Sequence, residues 1–474
     1  MSNRELLELV PNESEIPLSL TSAFLCQFDM KRGNIIAWSA GENNEILKGI
    51  EFKALPSGIH EATDDIIRFT LNHNGTLYYG LCCYVQNSFE VLNEDGQVDR
   101  SRVKMYSLGV LVDASKIKYK DKLKLYEITN YFIDPIEEVL LEWMKLNLTN
   151  DFSLLEEFYK NYKKSDNLQK NPARSMVKCL PYWLRKLGPL IFPVLKSCLL
   201  RERLLILAAP GNSFEYTNSL IYCLAALSKC PLPMVTTSET QMDYNNSFED
   251  QSTYCQALFT VGTYDIDTLH HYKESGYIAV SSDEVLVYKE ELYDKVLDLP
   301  SDSLIHEGLS FRDNTGKHIK ATQHEAKLFE KLIATYFDEE ISSIESARFA
   351  TYTESMSWLQ FLLDGIYFFT TAGYVSASYN QIPDIKRSSI QRENEEDDAF
   401  QVRATVLFFQ ERTEKLHKSL KGYIENDSLS ISRSNFTGLD LDCFSSQDDE
   451  FLIQISEKWF NKRINTNSYI KGFC

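Results

Sequence analysis

GTLYYGLCCYVQNSF, residues 75–89, is aromatic and alternating, the pattern of a central strand of a sheet. Downstream, VKMYSLGVLVDAS (103–115) is a second such run. Upstream, SAFLCQFDM (22–30) and NIIAWS (34–39) are short runs joined by Lys31-Arg32-Gly33, a hairpin signal. Between them and the central strand, EATDDIIRFTL carries the apolar patch Ile66, Ile67 and Phe69. Trp38, Phe69, Tyr79, Leu108 and Val110 are expected to share one buried core. Pro56-Ser57-Gly58 predicts a turn that needs the backbone freedom of Gly58. Cys82 and Cys83 are adjacent, so on a strand they point to opposite faces.

From Ile117 the period changes. Leu123, Tyr126, Ile128, Phe132, Ile136, Val139, Leu140 and Trp143 follow a helical spacing interrupted at Pro135. LLILAAP (204–210) reads as a buried strand, Glu215 to Leu227 as a helix, and QALFTVGT (256–263) and GYIAVSSDEVLVY (276–288) as further strands. This rhythm predicts an α/β layer with some parallel pairing. Residues 322–371, 400–421 and 448–462 are predicted helical. The fold class is therefore α/β and α+β.

The chain has 474 residues, with 68 acidic against 49 basic side chains and a net charge of −19. That field argues against nucleic-acid binding, which needs a positive footprint. Ten cysteines without CxxC spacing read as free thiols of a reducing compartment. Residues 1–16 hold no apolar core of a secretory signal. Trp358 to Phe369, the longest apolar stretch, is too short to span a bilayer. A cytoplasmic protein is expected, with peripheral contact on organelle membranes as a further expectation. Residues 158–205 reverse the charge, with eleven Lys or Arg against Asp166 and Glu202. Lys163, Lys164 and Lys170 are the candidates there for contact with anionic lipid or an acidic partner; a solvated linker is the plainer reading.

Covalent chemistry finds no constellation. The eight histidines form no HExxH, and no paired cysteines supply a zinc site. Gly211-Asn212-Ser213-Phe214-Glu215 follows a strand and opens a helix, as a nucleophile elbow does, but Glu215 stands where the turn wants glycine. Ser213 is better read as a helix cap. Gly316-Lys317-His318 lacks the earlier glycine and the Ser or Thr of a phosphate loop. No catalytic residue, metal site or cofactor is expected. The C-terminal Cys474 lies at the wrong position for prenylation and is a candidate only for thioacylation.

Four stretches together resemble the DENN-domain family, in the branch of Avl9, the fungal Anr2 and the animal LCHN. These are EFKALPSGIHEATDDIIRF (51–69); YYGLCCYVQNSFE with SRVKMYSLGVLVD (78–90, 101–113); LGPLIFPVLKSCLLRERLLILAAP (187–210) with GYIAVSSDEVLVYKEELYDKVLDLP (276–300); and SWLQFLLDGIYFFTTAGY (357–374). Asn, Ser and Lys usage has a fungal cast. Ala209-Pro210-Gly211-Asn212 departs from the proline-rich turn usual after the core strand. The resemblance implies a tripartite architecture. Residues 20–150 would be a longin-like module, 151–186 a basic linker, and 187–305 an α/β core module. Residues 306–474 would be a helical module with a disordered acidic loop near 380–399. It implies a guanine-nucleotide exchange factor or regulator of a Rab-type small GTPase in vesicle traffic. Such a factor binds the switch regions and stabilises the nucleotide-free state. The alternative is a non-catalytic trafficking scaffold or GTPase effector. Partner contacts are assigned on this reading to His60, Glu61, Asp64 and Asp65, as exposed acids and their flanking turn.

Overall fold

The computed structural model describes residues 19–87, 103–115, 122–148, 150–163, 174–230, 254–301, 308–356, 358–370, 397–426, 430–431 and 433–466. Its longer strands are β1 (Leu20–Asp29), β2 (Gly33–Gly41), β3 (Asp64–His73), β4 (Thr76–Gln86), β5 (Met105–Asp113), β6 (Arg203–Ala208), β7 (Ala257–Thr260), β8 (Tyr277–Ser281), β9 (Lys295–Leu299) and β10 (Ser310–Asp313). The helices begin with α1 (Ile50–Ala54), α2 (Lys122–Thr129), α3 (Ile133–Lys145), α4 (Ser153–Tyr162), α5 (Leu180–Leu187), α6 (Ile191–Leu199) and α7 (Phe214–Leu227). They continue with α8 (Ile266–His271), α9 (Gln323–Tyr336), α10 (Ser343–Thr351), α11 (Trp358–Thr370), α12 (Asp397–Glu425), α13 (Arg433–Leu439) and α14 (Ser446–Phe460). The chain divides into two compact units. The first holds residues 1–180, 203–226 and 256–309, and the second holds 181–202, 227–255 and 310–474.

In the first unit the strands lie in the order β9-β6-β8-β7-β3-β4-β5-β1-β2. β1 to β5 pair antiparallel, while β6 pairs parallel with β8 and β9, and β7 with β8. The expected mix of antiparallel and parallel pairing is thus present. The two halves meet through one antiparallel pair, Phe69 opposite Phe259. Phe259 has φ +58°, a left-handed conformation that costs a non-glycine residue roughly 1–2 kcal/mol. Its ring packs 5.4 Å from Tyr79 and 5.0 Å from Tyr126, which holds it there.

Both faces of the antiparallel half are buried. Phe24, Cys26, Ile67, Phe69, Cys82 and Leu111 pack with Ile50, Leu55 and Ile59 on one side. On the other, Cys83 Sγ lies 3.8 Å from the Ile133 carbonyl, and Tyr106 meets Trp143 edge-on. Cys82 and Cys83 do face opposite ways. The expectation of one shared core is corrected: Phe69 and Tyr79 lie on opposite faces, since Phe69 pairs with Gly80 and Thr70 with Tyr79. Trp38 is half-buried, because β2 ends the sheet and is paired on one side. Gly58 has φ +81°, as its turn requires.

Residues 276–288 are a strand only to Ser281. Glu284–Tyr288 is a 3-10 turn. Pro135 stands in the first turn of α3, where its missing N–H costs nothing, so the break falls just before it. Arg203 holds Asp294 through two side-chain bonds at 2.7 and 3.2 Å, and Tyr277 donates to the Leu292 carbonyl at 2.7 Å. The Tyr-Ile-Ala and Tyr-Asp phrases of 276–300 therefore act to pin β8 and the approach to β9.

The second unit is mostly helical, with β10 and a short parallel pair, Ser430–Ile431 beside Asn465–Thr466, as its strands among the described residues. Lys196 on α6, 17% exposed, pairs with the buried carboxylates of Glu325 on α9 and Asp448 on α14. Arg412 of α12 pairs with Asp440, which also meets His324 Nε2 at 2.9 Å. Thr322 with Glu325, and Ser342 with Glu345, form capping boxes. Asp397 and Asp398, read from sequence as part of an acidic loop, form the first turn of α12, where acids favour the helix dipole. The rest of that loop, 380–396, lies outside the described residues.

Candidate functional site: a groove beside the turn at Gly58

Lys53 and Asp265 organise this region. Lys53 lies on α1 and Asp265 enters α8, and their side chains form an ion pair at 4% and 3% exposure. Asp265 Oδ2 also accepts the Gly262 N–H at 2.9 Å, which fixes the loop after β7. One turn away, the rings of Phe52 and Tyr264 stack at 5.5 Å, and the Tyr264 hydroxyl donates to the Lys48 carbonyl. The close approach needs glycine at position 49, which has φ +82° and would place a Cβ 2.1 Å from the Tyr264 ring. Ser282 Oγ donates to the Ser57 carbonyl at 2.5 Å.

Beside these contacts runs a groove of about 1150 Å³. Phe28, Met30, Phe52 and Tyr264, 44–70% exposed, give it an apolar wall. His60, Glu61, Asp283 and the backbone around Gly58 add polar groups. Such a mixture suits recognition of a partner surface, with apolar anchors and a polar rim.

Of the residues assigned to partner contact from sequence, His60 and Glu61 line the groove and are exposed. Asp64 is exposed at the start of β3 and accepts from Thr63 Oγ1 at 2.7 Å. Asp65 departs from the expected exposure. It is buried at 8%, and its carboxylate accepts from Ser213 Oγ at 2.9 Å and from the N–H groups of Phe214 and Glu215 at 2.7 and 2.9 Å. Burial pushes its pKa up, and the hydrogen bonds to Glu215, Phe214, Ile66 and Ser213 oppose that shift. Asp65 and Ser213 thus cap α7 together.

Lys163 lies elsewhere, half-exposed, 3.2 Å from Glu42. Lys164, Lys170 and Cys474 lie outside the described residues. Much of the basic segment is matched locally: Arg174 meets Glu137 at 2.8 Å and Asp134 at 3.2 Å, and Arg185 meets Glu339 at 2.9 Å. Among the described residues no cluster of three or more His, Cys, Asp or Glu could hold a metal ion. No helix among them is long and apolar enough to cross a membrane. Burial raises the thiol pKa of Cys82, Cys83, Cys198 and Cys223, which keeps them unreactive.

Phe28, Met30, Phe52, Lys53, Tyr264 and Asp265 were not singled out from sequence. Lys53 within FKALP, a cation in an apolar turn, carried a signal for a buried partner. The exposure of the four apolar side chains had none, since it depends on what the fold leaves uncovered.

A sequence model of DENN domain-containing protein 11 matches residues 23–175 and 165–309, the two stretches that build the groove. The chain belongs to that family. Saccharomyces cerevisiae protein ANR2 is 35% identical over 98% of this chain and 95% of its own length. DENN domain-containing protein 11 of Xenopus laevis is 23% identical over 59% of each chain. A Schizosaccharomyces pombe protein is 23% identical over 94% of this chain and 93% of its own. The fungal cast of this DENN-family chain agrees with the yeast matches. The α/β and α+β architecture is the DENN-like one that the resemblance implied.

Proposed function

We propose that this chain regulates a Rab-type small GTPase in membrane traffic, as a guanine-nucleotide exchange factor, with the groove beside Gly58 as the partner's docking surface. The observation that carries the reading is the apolar wall of Phe28, Met30, Phe52 and Tyr264, flanked by Glu61 and Asp283, in the part of the chain that the DENN family model matches. The wall is the anchor for an apolar segment of the partner. The acids face its basic flanks and speed encounter. Exchange needs no covalent residue: the factor and the nucleotide weaken each other's binding to the GTPase, and this coupling is reciprocal. A coupling of about 3 kcal/mol is worth roughly 150-fold.

The test is release of a fluorescent GDP analogue from each Rab of the host, together with capture of the nucleotide-free GTPases. Acceleration of at least one Rab, with tighter capture of its nucleotide-free form than of its GDP form, is expected. If no Rab is accelerated and none is captured nucleotide-free, the proposal fails. Preference for a GTP-loaded Rab would make the chain an effector or scaffold instead.

A further inference from the structure

Helix α11 (Trp358–Thr370) presents Trp358, Phe361, Leu362, Ile366 and Phe369 to solvent, at 62, 72, 49, 53 and 88% exposure. At 3.6 residues per turn these positions, with exposed Gly365, cover an arc of about 140° on one side of the helix. Gln360 lies on the opposite side and is buried, so that side seats the helix on its own unit. Aromatic side chains bury roughly 150–250 Å² each, so this stripe leaves on the order of 500–700 Å² of apolar surface in water. The largest apolar patch of an ordinary monomer is roughly 300–600 Å² and is itself often functional. The function proposed above uses the first unit and does not involve α11.

The order of residues in the stripe says what covers it. Phe361, Gly365 and Phe369 stand at i, i+4 and i+8, a sequence that reads the same in both directions. Two copies of α11 laid antiparallel and crossing at Gly365 bring Phe361 of each against Phe369 of the other. Self-complementarity of one patch is the requirement of a two-fold interface. The glycine supplies the close approach: a Cβ built there meets nothing within 4 Å in its own chain. Glycine inside a helix is destabilising relative to alanine, so its presence at the centre of the stripe points to a second backbone above it. The area agrees as well, since each partner of a stable interface buries about 800 Å², most of which this stripe supplies.

A lipid surface fits less well. Helices that lie in the membrane interface carry Lys or Arg on their polar face, and α11 has neither in its thirteen residues. Lipid also places no value on a palindromic order. We propose that α11 is the contact of a two-fold homodimer of this chain, with the two helices crossing at Gly365.

Sedimentation velocity and light scattering of the full chain over a micromolar concentration series test this. The wild type is expected to reach twice the monomer mass. Phe361→Gln with Phe369→Gln should raise the dimer dissociation constant at least about tenfold, with the circular dichroism and melting unchanged. Gly365→Leu is the sharper variant. It improves helix propensity, so the fold is retained, and it adds apolar surface. A close crossing is weakened by it about tenfold, whereas a merely sticky face or a lipid-binding face is strengthened. A wild type that stays monomeric at every concentration overturns the proposal. So does a dimer indifferent to Phe361 and Phe369, or association tightened by Gly365→Leu. A monomer that floats with phosphatidylcholine vesicles, and ceases to when both phenylalanines are changed, assigns the stripe to lipid and also overturns it.

Discussion

Asp65 on β3 accepts the backbone N–H of Phe214 at 2.7 Å, across 149 positions of sequence. A strand of the antiparallel half thereby caps the helix that follows the first strand of the parallel half. Phe214 itself enters the core formed by Phe24, Ile67 and Phe69. The helix cap and the hydrophobic contact both join the two halves of the sheet, so the two sides of the groove are held on one scaffold.

Replacing Asp65 by Ala leaves the Phe214 N–H without its acceptor and leaves the Glu215 N–H only Ser213 Oγ, at 3.1 Å. The expected loss is about 1–3 kcal/mol, with Asn restoring part of it through its one carbonyl oxygen. Hydrogen exchange at the start of α7 reports it directly. Unchanged protection in Asp65→Ala would show that the cap contributes nothing.

Lys53 and Asp265 give a second test. Lys53→Met strands a carboxylate at 3% exposure and should cost about 3–5 kcal/mol. Lys53→Met combined with Asp265→Leu removes both charges and should recover most of that loss. Urea unfolding of the four proteins forms the cycle. A double variant as unstable as the sum of the singles would contradict the pairing.

Gly49→Ala carries two separable penalties. The left-handed backbone costs roughly 1–2 kcal/mol for any other residue, and the new Cβ meets the Tyr264 ring. Tyr264→Ala in the same chain should relieve the second penalty and leave the first. Full rescue, or none, would show that one of the two effects is absent.

The buried Glu127 carboxyl sets a pH dependence. Burial pushes its pKa up to about 7, against hydrogen bonds from Ser175, Val177 and Met176 and the charge of Arg68. The folded value lies above the ordinary glutamate value, so the folded state binds more protons between the two. The stability this group contributes is fully present below about pH 4.5 and is lost as pH rises through about 7. Glu127→Gln should therefore flatten the pH profile and raise stability at pH 8 by roughly 1–3 kcal/mol. Denaturant unfolding at pH 5.5 and 8, followed through the β3 and β4 amides, checks the sign. A variant that loses stability at pH 8 would reverse it.

Phe28→Asp with Met30→Asp addresses the groove itself. Both side chains are substantially exposed, so melting should be unchanged while binding of a nucleotide-free Rab falls at least about tenfold. Lys163→Glu, away from the groove, should leave that binding intact. Equal binding by all three proteins would move the docking surface elsewhere.

The sequence by itself determined most of the strands and helices and the presence of parallel pairing, because period and β-branched or aromatic content act over a few neighbouring residues. It also determined the Lys31-Arg32-Gly33 hairpin, the turn at Gly58, and Ser213 as a cap rather than a nucleophile. Tertiary structure decided the rest. Trp38 is half-buried because β2 ends the sheet, and no local pattern records a strand's place in the order. Asp64 and Asp65 are the same residue type in adjacent positions, yet one faces water and the other caps a distant helix. The pleat turns neighbouring side chains to opposite faces, and only the arrival of α7 gives one of those faces its donors. The apolar wall of the groove and the stripe of α11 were invisible for the same reason: an exposed phenylalanine and a buried one have the same sequence signature, and what covers each is settled by the packing of distant segments.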